Sequence, residues 1–260
     1  MEYSLVTYRI ESGVARIAFN DPATLNAFSD LMAEEFLDAL DRSSREARCV
    51  LITGEGRAFS SGANLSDASA ILADPMRDIG VGLDRWFNPA LSLMKSMDAP
   101  VVTAVRGPAV GVAAGIAMAG DIILCAEDAF FQQAFRHVGL APDGGASYLL
   151  SRAVGRVRAM ELMLLGERIE AAKALEWGLI TRVVTDGELD SIASDLTSRL
   201  ASGPRSLGMI KRVAWAALDD SYDAALTRER LMQREASRTE DFPEGVQAFL
   251  EKRKPGFQGR

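Results

Sequence analysis

Three short runs of consecutive apolar residues constrain this chain more than any other feature: CVLIT at 49–53, VVTAV at 101–105 and IILCA at 122–126. Each reads as a buried strand, and strands apolar throughout belong to sheets covered by helices. The runs alternate with helical segments, which points to an α/β fold with a largely parallel sheet. Ahead of them, residues 3–10 and 13–19 are rich in β-branched and aromatic residues around Ser12-Gly13 and read as a β-hairpin.

Asn20 to Thr24 (NDPAT) reads as a turn, and Ser29 as the cap of a helix over 30–41. Residues 66–98 read as mostly helical, with breaks at Asp74-Pro75 and Asn88-Pro89. From Gly107 to Gly120 the chain reads as a glycine- and alanine-rich loop and helix. After 144 the pattern turns helical, with helices over 144–153, 155–165, 170–177, 187–201, 204–218, 221–236 and 242–251, interrupted by one strand at Leu179–Val184. The shift divides the chain into an α/β core, 1–190, and a helical C-terminal region, 191–260.

Composition removes several function classes. The chain has 260 residues, long enough to bury a sizeable core without a metal or disulfide staple. Its formal net charge is -7 with no basic stripe, which argues against nucleic acid as a partner. Only local clusters, Lys211-Arg212 and Lys252-Arg253-Lys254, offer a phosphate-bearing small molecule a grip, and a solvated face explains them equally well. Cys49 and Cys125 sit in apolar runs and read as buried free thiols of a reducing compartment. With His137 the only histidine, a histidine-based zinc site is excluded and no metal is expected. The N-terminus lacks a signal-peptide pattern. The most apolar stretch, Gly107–Gly120, is too short to cross a bilayer, so a cytoplasmic protein with no membrane partner is expected.

Three segments carry candidate chemistry. GEGRAFSSGANL, from Gly54 to Leu65, joins a buried strand to a helix, and Gly62 lets backbone amides point outward as unpaired donors. GPAVGVAAGIAMAGD, from Gly107 to Asp121, again offers free amides at a helix start; it lacks the GxGxxG spacing of a dinucleotide site. FFQQAFRHVGLAPDGGAS, from Phe130 to Ser147, holds His137, which reads as structural, and Asp143. Asp143 reads either as the cap of the helix opening at Gly144 or as a carboxylate against Phe135 and Val138 with a raised pKa suited to proton transfer.

Together these segments, with Leu25-Asn26-Ala27-Phe28, the run GLAPDGGASYLLSRAVGRVRAMELMLLGERIEAAKALEWGLITRVV and the tail EKRKPGFQG, resemble the crotonase superfamily, the enoyl-CoA hydratase/isomerase family, over nearly the whole chain. The resemblance implies a spiral of ββα units with a C-terminal helical trimerisation layer, a homotrimer or dimer of trimers, and an acyl-CoA thioester as ligand. Coenzyme A is then part of the substrate and no separate cofactor is expected. It also implies an oxyanion hole from the amides of Ala63, after Gly62, and Val112, after Gly111. Thr24, Leu25, Ser61, Gly62, Asn64 and Leu65 are placed beside coenzyme A. Lys254 and Phe257 are placed against the coenzyme of a neighbouring subunit. Trp86, Phe87 and Met94 fall in the region that caps the acyl pocket in the family, and read equally as plain core packing. Asn64 also reads as a helix cap.

The sequence departs from the family's hydratases at both of their glutamates. The two positions are Gly115 and Phe135 here, and neither is acidic. What remains is Asp143, between Pro142 and Gly144, at the position that single-base enoyl-CoA isomerases of the superfamily use. The expectation is an enoyl-CoA double-bond isomerase with Asp143 as base. The rivals are a hydratase working without the usual glutamate pair and a non-catalytic acyl-CoA binder.

Overall fold

The computed structural model describes residues 3–65, 72–74 and 76–260. The expected hairpin forms as β1 (Val6–Glu11) and β2 (Val14–Phe19), antiparallel, with Val6 opposite Phe19. The three apolar runs become β3 (Cys49–Gly54), β4 (Val101–Val105) and β6 (Ile122–Ala126). With β9 (Arg182–Val184) they complete a six-stranded sheet in the order β1-β2-β3-β4-β6-β9, parallel from β2 onward.

Successive strand residues face opposite sides of a sheet, and both sides are apolar here. Val50, Ile52, Val101 and Val105 join the main core beneath α1 (Asp30–Glu46), α2 (Asn88–Ser96) and α3 (Val112–Met118). Cys49, Leu51, Val102, Ala104 and Leu124 face the other way, onto Leu189, Ala193 and Ala201 of α7 (Leu189–Ala201). This two-sided burial is why the runs carry no polar alternation.

A second, three-stranded sheet was not expected from the sequence. It contains β5 (Pro108–Val110), β7 (Phe130–Gln132) and β8 (Arg168–Glu170), in the order β5-β7-β8. Three residues are too few to show a period of two, so the sequence hides such strands. Its presence turns the chain into repeated ββα units: β4, β5 and α3, then β6, β7 and α4 (Ala146–Ala153). The α/β spiral is therefore present.

The remaining helices fall close to their expected places: α5 (Arg156–Leu165), α6 (Ala171–Glu176), α8 (Ser206–Ala216), α9 (Tyr222–Ala236) and α10 (Asp241–Glu251). Ser29 caps α1 by accepting from the Met32 amide, as expected. Four expectations need correction. Asn88-Pro89 does not end the helix but marks a change within it: a π-helical stretch, Leu83–Phe87, gives way there to α2, so Pro89 falls in the first turn of the α-helical part. The strand at Leu179–Val184 shrinks to β9, because the Leu179 amide is used to close α6 on Ala174. Lys211 is no phosphate site: its ammonium is buried, 2.9 Å from Asp121 and 3.1 Å from the Ala99 carbonyl. Arg253 is likewise engaged, by Glu244 and Glu251. The helical reading of 66–71, and the break at Pro75, lie outside the described residues.

Cys49 and Cys125 are buried and unpaired, and burial pushes the Cys49 thiol up to about 12. His137 is structural as read, with Nε2 3.1 Å from the Gly166 carbonyl.

Candidate active site

The first loop of the site follows β3. Its organiser is Asn26, fully buried, which residue order alone does not set apart from the rest of the Leu25–Phe28 run. Asn26 Nδ2 donates to the carbonyls of Glu55, Ala58 and Phe59, and its Oδ1 accepts from the Asp21 amide. One side chain thereby shapes the loop from 55 to 59. Phe28 continues the work through its backbone: its N–H donates to Gly62 O at 2.7 Å, and its carbonyl accepts from Asn64 N at 2.9 Å. The Phe28 ring is anchored in the core, packed edge-on against Phe19 and Phe87. Ala63 is thus held between two tied residues while its own N–H makes no hydrogen bond among the described residues.

The second loop is β5 to α3. Gly111 takes φ +58, donates its N–H to Gln132 O, and lets Val112 open α3. The Val112 amide, at the first helical position, also lacks a partner among the described residues, as helix starts do. Gly62, at φ +94, brings the two loops together: a Cβ there would lie 2.7 Å from Val110 O. Both spare amides therefore sit on segments in direct contact.

Asp143 adjoins the same helix start. Its neighbour Gly144, at φ +60, packs so closely that a Cβ would lie 3.1 Å from Val112 Cα. The Asp143 Oδ1 is buried and has no hydrogen-bond partner among the described residues. Burial alone pushes this carboxyl up to about 6, because the charged form loses water without gaining a donor. The capping role read for Asp143 is not used. The cap of α4 is Gly145, and only the Asp143 backbone carbonyl contributes, accepting from Ala146 N. Val138 is 54% exposed. Phe135 is buried, and its Cζ would lie 3.8 Å from a Cβ on Gly111, so its ring stands beside the second loop.

The structure joins Thr24 and Leu25 to the first loop: Ser61 N donates to Leu25 O and Ser61 Oγ to Thr24 O. Asn64 and Pro142 are half-buried and Leu65 is exposed. Any helix that Asn64 would cap begins outside the described residues. Trp86 and Met94 are buried in the main core, and Phe87 packs on Phe28. Lys254 is exposed, while Phe257 folds back within 3.3 Å of a Cβ position on Gly245 of its own α10. Gln133, buried with an unpartnered Oε1 next to Gln132, is a further polar group that the sequence did not single out. Among the described residues no cluster of potential metal ligands occurs, and no helix is long and apolar enough to cross a membrane.

Comparison with known proteins agrees with this geometry. The family model described as enoyl-CoA hydratase/isomerase matches residues 9–260. The chain is 41% identical over 254 residues to the 1,2-epoxyphenylacetyl-CoA isomerase of Escherichia coli (strain K12), covering 96% of this chain and 97% of that protein. It is 34% identical over 264 residues to the trans-2-decenoyl-[acyl-carrier-protein] isomerase of Streptococcus mutans, with both chains covered completely. A crystal structure of an enoyl-CoA hydratase from Polaromonas sp. JS666 superposes with a TM-score of 0.89 at 28% identity, covering 97% of this chain and 99% of the other. A match over almost the full length, on a spiral of ββα units, makes the chain a member of the enoyl-CoA hydratase/isomerase family, acyl-CoA-processing enzymes of the crotonase superfamily.

Proposed function

We propose that this enzyme moves the double bond of an enoyl-CoA, using Asp143 as its single acid–base group. The thioester oxygen accepts hydrogen bonds from Ala63 N–H and Val112 N–H. The Asp143 carboxylate takes a proton from C2 of a 3-enoyl thioester, and the electron pair of that C–H bond passes into the conjugated enolate. The same group, now protonated, returns the proton to C4, which leaves the double bond between C2 and C3. The coenzyme belongs to the substrate, and the step consumes no cofactor.

The observation that carries this reading is the buried, unpartnered carboxyl oxygen of Asp143 on the turn packed against Val112. A base raised to about 6 remains ionised at neutral pH and returns its proton more readily than an ordinary aspartate. Spare amides aimed at a developing oxyanion supply the electrostatic part, and each such donor is worth about 3–4 kcal/mol in comparable sites. Hydration needs a second polar group to deliver water. Position 115 has no room for one and position 135 is a phenylalanine ring. The name of the trans-2-decenoyl isomerase above supports movement of a double bond.

The test is purified protein with a 3-enoyl-CoA, following conjugated thioester by absorbance, beside crotonyl-CoA for hydration. Isomerisation without hydration is expected, and Asp143→Asn is expected to lose at least 100-fold in kcat while retaining coenzyme A binding. An Asn variant with full activity would overturn the assignment.

A further inference from the structure

Five phenylalanines form one cluster that reaches the first loop of the site, and Phe19, the last residue of β2, stands at its centre. Its ring is fully buried and meets three others edge-on, with centroids 4.8 Å away for Phe28, 5.2 Å for Phe36 and 5.3 Å for Phe59. Phe87 joins through Phe28, at 5.3 Å. Such contacts run from the positive edge of one ring to the negative face of another, so they fix direction as well as distance. Among the aromatic pairs of the described residues, Phe19 alone touches both Phe28 and Phe59.

Those two residues carry the backbone of the site. Phe28 bridges Ala63, donating its N–H to Gly62 O and accepting from Asn64 N. Phe59 donates its N–H to Arg106 O at 2.7 Å. The next residue, Ser60, exchanges hydrogen bonds with β5: its N–H donates to Pro108 O at 2.9 Å, and its carbonyl accepts from Val110 N at 3.1 Å. Strand β5 leads directly to Gly111 and Val112. Phe28 therefore sets the course of the segment bearing one spare amide, and Phe59 ties that segment to the strand that leads to the other. Opposite Phe19 in the sheet is Gly54, where a Cβ would lie 2.8 Å from Phe59 Cα, so the loop folds back directly against the end of β3.

We propose that Phe19 is a positioning residue of the reaction: through Phe28 and Phe59, its ring holds the Ala63 and Val112 amides in the mutual placement that a thioester oxyanion needs. This rests on the placement of the thioester proposed above. Phe19 is fully buried, so it meets no substrate atom and acts only through its neighbours. An apolar side chain without a flat ring keeps most of the core contact there but loses the edge-on contacts that aim Phe28 and Phe59. Misplacing a reacting group by about 1 Å costs up to about 100-fold in rate, so a small movement of the loop is legible in kcat.

The experiment reads the carbonyl stretch of bound butanoyl-CoA, isotopically labelled in its thioester carbonyl, by difference infrared spectroscopy. Hydrogen bonds from the two amides lower that frequency whether or not Asp143 is the base. In the wild type the band should fall below that of free butanoyl-CoA. Phe19→Leu should return it at least halfway toward the free value, lower kcat on a 3-enoyl-CoA by about tenfold or more, and leave Kd for coenzyme A within about twofold. Phe59→Leu cuts the same contact from the loop side and should move the band in the same direction, which decides the matter if Phe19→Leu folds poorly. Leu40→Ala empties a fully buried position on α1 outside the cluster; it should lose stability as well, yet leave the band and kcat unchanged. A wild-type band retained in both Phe variants, or the same shift in Leu40→Ala, would overturn the proposal. A wild-type band no lower than the free one would overturn the thioester placement, and the proposal with it.

Discussion

The carbonyl oxygen of Gly144 occupies the space where a side chain on Gly115 would begin: a Cβ there would lie 2.1 Å from that oxygen. Gly115 is on the second turn of the helix that opens with Val112, and Gly144 follows Asp143. The backbone of the Asp143 turn thus occupies the space that any side chain at position 115 would need.

Gly115→Ala should therefore cost about 3 kcal/mol or more in unfolding free energy, since backbone rather than a flexible side chain must move. The displaced Gly144 carries Asp143 with it, so kcat should fall as well. Gly115→Glu should gain no hydration of crotonyl-CoA. Denaturant titration and the hydration assay check both statements; a stable, hydrating Glu variant would contradict the packing argument.

The pH dependence follows from the ionised form being the working one. With Asp143 raised to about 6, kcat/KM for isomerisation should climb as pH rises through about 6 and level off above 7. A plateau extending unchanged down to pH 4.5 would place the proton-accepting group elsewhere.

Stability has the opposite sign. The folded-state pKa of Asp143 lies above the ordinary value of 3.8, so the folded protein holds this proton more tightly than the unfolded chain. The stability this provides is complete below about 4 and is lost as pH rises to about 6. Asp143→Asn removes the ionisable group. It should be more stable than wild type at pH 7 by about 1–2 kcal/mol, allowing for the solvent that reaches a half-buried carboxyl, and the gain should shrink toward pH 4. Thermal unfolding of both proteins across this range measures it; the loss of activity with a gain of stability is the mark of a functional group.

Asn26→Ala should cost about 2–3 kcal/mol, because it strands carbonyls at Glu55, Ala58 and Phe59 and the Asp21 amide in a buried loop. This loop leads to Ala63, so kcat should fall more than KM rises. Equal changes in both would mean that the loop positions coenzyme A rather than the reacting carbonyl.

Much of this architecture was legible in residue order. The runs at 49, 101 and 122 announced buried parallel strands because nothing polar interrupts them, and the helical periodicity after 144 placed each later helix within a few residues. Ser29 announced its cap, and Gly62, Gly111 and Asp143 stood out by residue type and by their family setting. The strands of the small sheet did not stand out, being too short to show a pattern, and nor did the four hydrogen bonds by which Glu35 holds the start of β1.

Sequence by itself determined the class of fold, the family and the absence of acids at 115 and 135, since these depend on residue identity and spacing along the chain. Only the tertiary structure decided that the Asp143 side chain does not cap α4 and keeps a buried oxygen without a donor among the described residues, that Val138 faces water, and that Gly115 gives up its space to Gly144. Those outcomes depend on which distant backbones meet, and burial, the sole cause of the raised Asp143 pKa, exists only after they have met.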